Sequence, residues 1–425
     1  MLVLTSALLL RPSIRGRDGF GNYVYLMSLL TDGDLDFTDD YAAIDRLPES
    51  RVVQSEAPRH PATGLPSNRF GVGSALLWAP FVVPVHLGLR ALAPSRADGL
   101  SRAYVWAVGA GSAFWGSVGL GLLYLRLRRQ AGPFLCALSL VGLTFATPLG
   151  FYLWAHGSMS HAPSFFLAVA ALLLLERAWE RPVPAELVLL GAVTAGLVLT
   201  RFQDITWAVA IAGGLAVFRL EPSPEAAPRS RLQVLLLFTG GGVLIFLPQL
   251  AVWKVLYGDW LSGPVPYLQS RYFSVLPRHL WQVLLGGHRG VLLWHPLLLV
   301  AMLGVLLGRV PSRRLWWVGL TGLVLQLYLV GTFAIYWAGA SFGNRFFISS
   351  YPFLAFGLVW VWARLGPPRV ATVLTGLLVA WNAGLLVQYA TGMMSRERPV
   401  RWGEVVHNQF TTVPRFLLRG GRMPP

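Results

Sequence analysis

The chain is poor in several things, and each shortage excludes a class of protein. Cys136 is its single cysteine, so an intramolecular disulfide and a cysteine metal site are both impossible. Charged residues make up 13% of 425 residues, about half the share usual in a soluble domain, which excludes an ordinary water-soluble globule. Lys254 is the only lysine, so the net charge of +16 is carried by arginine. Those arginines fall in short clusters between apolar runs, the pattern of cytoplasmic loops rather than of a nucleic-acid-binding face. Acids are scarce too, 19 in all.

The scarce acids are not spread evenly. Asp18, Asp32, Asp34, Asp36, Asp39 and Asp40 place six carboxylates within 23 residues, in RDGFGNYVYLMSLLTDGDLDFTDDY. A chain of 55% hydrophobic residues that gathers its acids in one loop points to chemistry or binding there.

Residues 2–10 are too short to cross a bilayer core and lack a basic start and a small-residue cleavage site. They read as the end of a partial first helix rather than a cleavable signal. Residues 11–70 form a polar outer loop. Within it Phe20, Tyr23, Tyr25, Leu26, Leu29 and Leu30 recur at helical spacing, which predicts a short helix lying in the membrane interface or packed on the bundle. Residues 71–392 form a multi-span membrane domain, and 393–425 a basic tail.

Eleven apolar segments are expected, at about 71–93, 101–125, 133–154, 161–178, 185–200, 204–219, 232–256, 290–308, 315–336, 346–363 and 370–392. The predicted fold class is all-α, a polytopic helical bundle of about 10–12 transmembrane helices with a functional first outer loop. Pro80 and Pro84 make a re-entrant or interfacial course an alternative to a span for 71–93. Arginine-bearing connections such as 126–129 and 309–314 read as cytoplasmic, and 155–160 and 337–345 as facing out.

Four groups of residues carry candidate chemistry. Asp18, at the head of the predicted helix, is placed to act as a general base on a hydroxyl, or to cap that helix. DGDLDF resembles the first half of a calcium loop, but Phe37 stands where that loop needs glycine and Ala43 where it needs glutamate, so an EF-hand is rejected. The sequence implies no definite cofactor. A divalent cation remains an option, with Asp34 and Asp36 its candidate ligands. His156 and His161 are candidate substrate-binding residues; their spacing of five does not match a helical metal pair, and satisfied structural histidines are the alternative. Arg69, Arg201, Arg289 and Arg345 stand at predicted outer ends of spans, where a guanidinium fork suits phosphate and snorkelling to lipid headgroups is the alternative.

The succession NRFGVGSALLWAPFVVPVHL, YLWAHGSMSHAPSFF, LTRFQD, GHRGVLLWHPLLL and WAGASFGNRFFISSYP, after the acidic loop, resembles bacterial polytopic glycosyltransferases of the GT-C class, near the protein O-mannosyltransferases and aminoarabinose transferases. The resemblance covers residues 15–390 or so. It implies a sugar donor on polyprenyl phosphate, a glycan, lipid or protein acceptor, and a site on the outer face of the inner membrane. It also implies that the acid of the first outer loop, by position Asp18, activates the acceptor. Arg69, Arg201 and Arg345 would then bind the donor phosphate, and His156, His161 and Arg289 the substrates. Two departures stand out: Gly19 follows the Asp where a second acid is common, and Ser160-His161 stands where another acid is common. A transporter or flippase of lipid-linked sugars, and an inactive scaffold of the same fold, are the competing readings.

Overall fold

The structure is a computed structural model that describes residues 13–47, 56–221, 230–261, 272–308 and 310–420. The partial first helix expected at residues 2–10 lies outside the described residues. Every element longer than a turn is helical, and no strand forms among the described residues beyond the isolated bridges Arg59–Pro66 and Phe273–Phe333. The fold is all-α, as expected. Each of the eleven apolar segments contains a helix. Among the described residues seven helices are long and apolar enough to cross a membrane, and four more are apolar but shorter. The chain divides into two compact units, Met1–Leu122 with Phe151–Gln269, and Leu123–Gly150 with Ser270–Pro425.

The first described helices of the first unit are α1 (Gly16–Thr31) and α2 (Thr38–Asp45). Every residue of α1 from Gly19 to Ser28 is buried, so protein encloses it on both faces. The packed alternative of the sequence reading therefore describes this helix better than the interfacial one. Gly33 turns the chain between the two helices at φ +79°, a conformation that glycine adopts without a Cβ clash. Then come α3 (Gly73–Leu92) and α4 (Arg102–Leu127). α3 runs unbroken through Pro80 and Pro84. It pairs with α4 through Trp78 Nε1 to Ser112 Oγ at 2.8 Å, Trp115 Nε1 to the Leu77 carbonyl at 2.8 Å, and a 2.7 Å bond between His86 and the Tyr104 hydroxyl.

A π-helical turn, Phe151–Ala155, precedes α6 (His161–Glu180), and α7 (Pro184–Thr200), α8 (Ile205–Val217) and α9 (Arg231–Tyr257) complete the unit. α7 and α9 meet backbone to backbone. A Cβ at Gly191 would strike the Phe238 carbonyl, and one at Gly241 the Val188 carbonyl. Small residues at such a crossing are how apolar helices gain contact where lipid removes the hydrophobic drive. The opposite side of α9 exposes Leu232, Leu236, Val243, Leu244 and Leu247. A row of that kind is stable against hydrocarbon and not against water.

In the second unit α5 (Pro133–Phe145) stops earlier than the apolar run to residue 154 predicts. Pro148 explains the stop: it lacks an N–H and disfavours helix in the residue before it. The Phe145 and Thr147 carbonyls are taken by Asn382 Nδ2 at 2.8 and 3.0 Å, from α13 (Pro368–Thr391). α10 (Pro296–Leu307) crosses α12 (Tyr351–Arg364) where Gly304 and Gly357 bring the backbones together. In α11 (Arg313–Thr332), buried Gln326 ties down the 3-10 turn Arg345–Ser350, donating to the Phe346 carbonyl at 2.6 Å and accepting from Ser350 at 2.7 Å.

Candidate active site in the first unit

The segment joining the outer loop to α3 is strapped down over its length. Asn68 Nδ2 donates to the Gly21 carbonyl at 2.8 Å, and the Asn68 side-chain oxygen accepts from Phe70 N–H at 3.1 Å. The Tyr257 hydroxyl holds the Asn68 carbonyl at 2.7 Å, and Tyr25 the Phe70 carbonyl at 2.6 Å. Gln249 accepts from Val72 N–H at 2.9 Å. The Phe70 ring lies where a side chain at Gly21 would be. Burial pushes the Tyr25 phenol well above its ordinary range, so it stays a neutral donor.

This strap presents Arg69 to Asp18. Asp18 stands in the first turn of α1, whose N-cap is Arg15, so it is not the capping residue. Its carboxylate accepts from Arg69 Nη2 at 3.1 Å, and both side chains are partly open to solvent. The Arg69 guanidinium also lies 5.0 Å from the centre of the Phe70 ring, a cation–π contact that limits its swing. A small cleft beside the pair is lined by Arg17, Tyr41, Ser67, Asn68, Arg69 and Phe70.

Two further segments close on this point. Gly19 faces the Ser158 hydroxyl, which brings the His156–His161 loop against α1. Gly71 and Gly73 lie against the backbone of Leu199 and Thr200, which sets the end of α7 and Arg201 next to the strap. The segments that carry Asp18, Arg69, the histidines and Arg201 are therefore neighbours in this unit.

His161 and His156 both lie against one aromatic ring. Their rings stack on Tyr152, with centroids 4.4 and 6.3 Å away. Arg201 is buried and ends α7. Three residues on, in the same 3-10 turn, stands Asp204, fully buried and 2.7 Å from the Ser164 hydroxyl. Asp204 is a buried acid beside Arg201 that the sequence reading did not single out. The signal was an acid inside an apolar run.

Arg289 and Arg345 belong to the second unit. Arg289 is buried, holds φ +61°, and donates Nε to the Ser341 carbonyl at 2.5 Å and Nη2 to the Arg396 carbonyl. It braces two loops. Next to it His288 stacks on Trp337 at 4.5 Å, and burial followed by the Arg289 charge lowers its pKa to about 4. Arg345 is half-buried and opens the turn that Gln326 holds.

Asp34 and Asp36, the predicted cation ligands, spend oxygens on local structure. Asp34 Oδ1 accepts from Ser28 Oγ and from Asp36 N–H at 3.1 and 3.0 Å, and Asp36 Oδ1 accepts from Thr38 N–H and Oγ1 at 3.0 and 2.6 Å. The acids whose oxygens converge are instead Asp32, Asp39 and Asp40. Comparison with family models and with curated proteins finds no match to this chain.

Proposed function

We propose that the protein transfers a sugar from a polyprenyl-phosphate donor to a hydroxyl acceptor with inversion at the anomeric carbon. The observation that carries this reading is the Asp18–Arg69 pair, a partly exposed carboxylate and a partly exposed guanidinium 3.1 Å apart. One group accepts a proton and the other binds phosphate, and the reaction needs both at neighbouring atoms.

In the proposed step Asp18 takes the acceptor hydroxyl proton. The oxygen attacks the anomeric carbon, and the bond from that carbon to the phosphate oxygen breaks. Polyprenyl phosphate leaves with the bonding electrons, and Arg69 compensates the charge that develops on it. Donor phosphate arriving at Arg69 competes with Asp18 for the guanidinium. Arg201, at the end of α7 next to the strap, is a second cation for the donor. The lipid tail is accommodated against exposed apolar helix faces such as that of α9. An outward-facing site at the inner membrane belongs to the same proposal and is supported by the arginine-rich loops that read as cytoplasmic.

The test is transfer of radiolabelled sugar from a panel of polyprenyl-phosphate donors to membrane extract, with wild type and Asp18→Asn. Label moving with the wild type alone supports the reading, and equal transfer by both removes Asp18 from it. Buried Asp204 and Arg201 favour a second reading, a flippase of lipid-linked sugars, because ionisable groups between apolar helices mark translocation paths. Donor flipping that survives Asp18→Asn and fails in Asp204→Asn supports that alternative.

A further inference from the structure

We propose that Asp32, Asp39 and Asp40 form a calcium site that locks the joint between α1 and α2. The site stands apart from the transfer chemistry, because α1 separates Asp32 from Asp18 by about 20 Å at the usual rise per residue.

Three observations carry it. The first is convergence: one carboxylate oxygen from each residue lies within 4.8 Å of the others, with Asp32 and Asp39 exposed and Asp40 buried. The second is Asp40 itself. It is 2% exposed, and neither carboxylate oxygen has a hydrogen-bond partner. The Ser28 hydroxyl is near, but it has one hydrogen, and that hydrogen is directed to Asp34. A buried carboxylate without partners is costly unless a cation or a proton neutralises it. The third is Asp32, the C-cap of α1, where the helix already ends in partial negative charge. The dipole of α2 can account for Asp39 and Asp40 in its first turn, but it gives no reason for Asp32.

The donor set selects the ion. Three carboxylates and no sulfur or imidazole suit a hard cation. A calcium shell is roughly 4.6 to 5.2 Å across, twice its bond length, and accommodates oxygens that lie within 4.8 Å of one another. Magnesium demands a tighter, near-ideal octahedral shell and keeps its waters, which three acids on a turn suit less well. The exposed side leaves room for water to complete the coordination. Among the described residues no ion pair engages these three acids, although the chain carries +16.

The test is calorimetric titration of CaCl2 into full-length protein in detergent, stripped with EDTA and held in 150 mM KCl. One saturable calcium per chain is expected. Asp39→Asn and Asp32→Asn, both at exposed positions and so without effect on folding, should each weaken it at least tenfold. Calcium should also raise the midpoint of thermal unfolding of the wild type, while KCl at matched ionic strength should not. Absence of saturable binding, or equal binding in wild type and Asp39→Asn, would overturn the site. A thermal shift reproduced by KCl would overturn it as well, by reducing the acids to a diffuse charge.

Discussion

Arg69 Nη2 reaches Asp18 Oδ1 at 3.1 Å from a strap whose other atoms are held by Asn68, Tyr25, Tyr257 and Gln249. The strap fixes where the guanidinium starts, and Asp18 stands in the first turn of α1, after its N-cap Arg15. A partly exposed pair of this kind contributes about 0 to 1 kcal/mol to stability. Asp18→Asn should therefore leave the unfolding midpoint in detergent nearly unchanged while transfer falls by about 10²- to 10⁴-fold, the usual worth of a general base. Arg69→Ala should act mainly by raising the donor KM, and Arg69→Lys should recover part of that loss. A melting curve and donor-saturation kinetics on the three variants check both halves.

The glycines around the site differ in what a methyl would meet. At Gly71 it would overlap the Leu199 carbonyl, which is backbone and cannot turn away. At Gly19 it would meet the Ser158 hydroxyl, which can rotate. Gly71→Ala should cost about 1 to 3 kcal/mol, as overpacking does, and Gly19→Ala distinctly less. Thermal unfolding of the two variants in one detergent gives the order.

Much of this architecture was legible in the chain because span length is a one-dimensional property: a run of apolar residues long enough for a bilayer is visible without a partner. Which face of each helix packs was not legible. In α9 the residues that expose themselves, Leu236 and Leu244, are as apolar as those that pack, so periodicity carries no contrast. The D-x-D-x-D spacing pointed to Asp34 and Asp36, but the turn at Gly33 folds Asp32 back onto the first turn of α2, a contact that spacing alone does not reveal. Asp18 and Arg69 were each singled out, yet their pairing depends on Gly21 and Phe70 interlocking across 49 residues.

Asp204 offers a test of buried polarity. Ser164 Oγ donates to it at 2.7 Å, and both residues are fully buried. Asp204→Asn keeps an oxygen for that bond, whereas Asp204→Ala leaves the hydroxyl stranded, a loss of about 1 to 3 kcal/mol. The stability order should be wild type, then Asn, then Ala, with Ser164→Ala restoring part of the loss in the Ala background. A double-mutant cycle in unfolding midpoints measures the coupling.

The same acids that gather at the joint of α1 and α2 should set a pH dependence. Burial, with Asp39, Asp32 and Asp34 adding like charge, pushes Asp40 up from its ordinary 3.8 to about 7. The folded protein then holds this proton more tightly than the unfolded chain. The stability it contributes is complete below about 3.8 and is lost as pH rises to about 7. His288 works the other way: with its pKa lowered to about 4, its contribution is present above 6.5 and is lost as pH falls through that window. The two slopes oppose each other, so a single melting series on the wild type would mask both. The difference between wild type and Asp40→Asn isolates the carboxyl, because His288 is common to the two. In EDTA that difference should move steadily against the wild type from pH 4 to 7 and then level off. Saturating calcium favours the ionised carboxylate, so it should remove the trend in the wild type and leave Asp40→Asn unaltered.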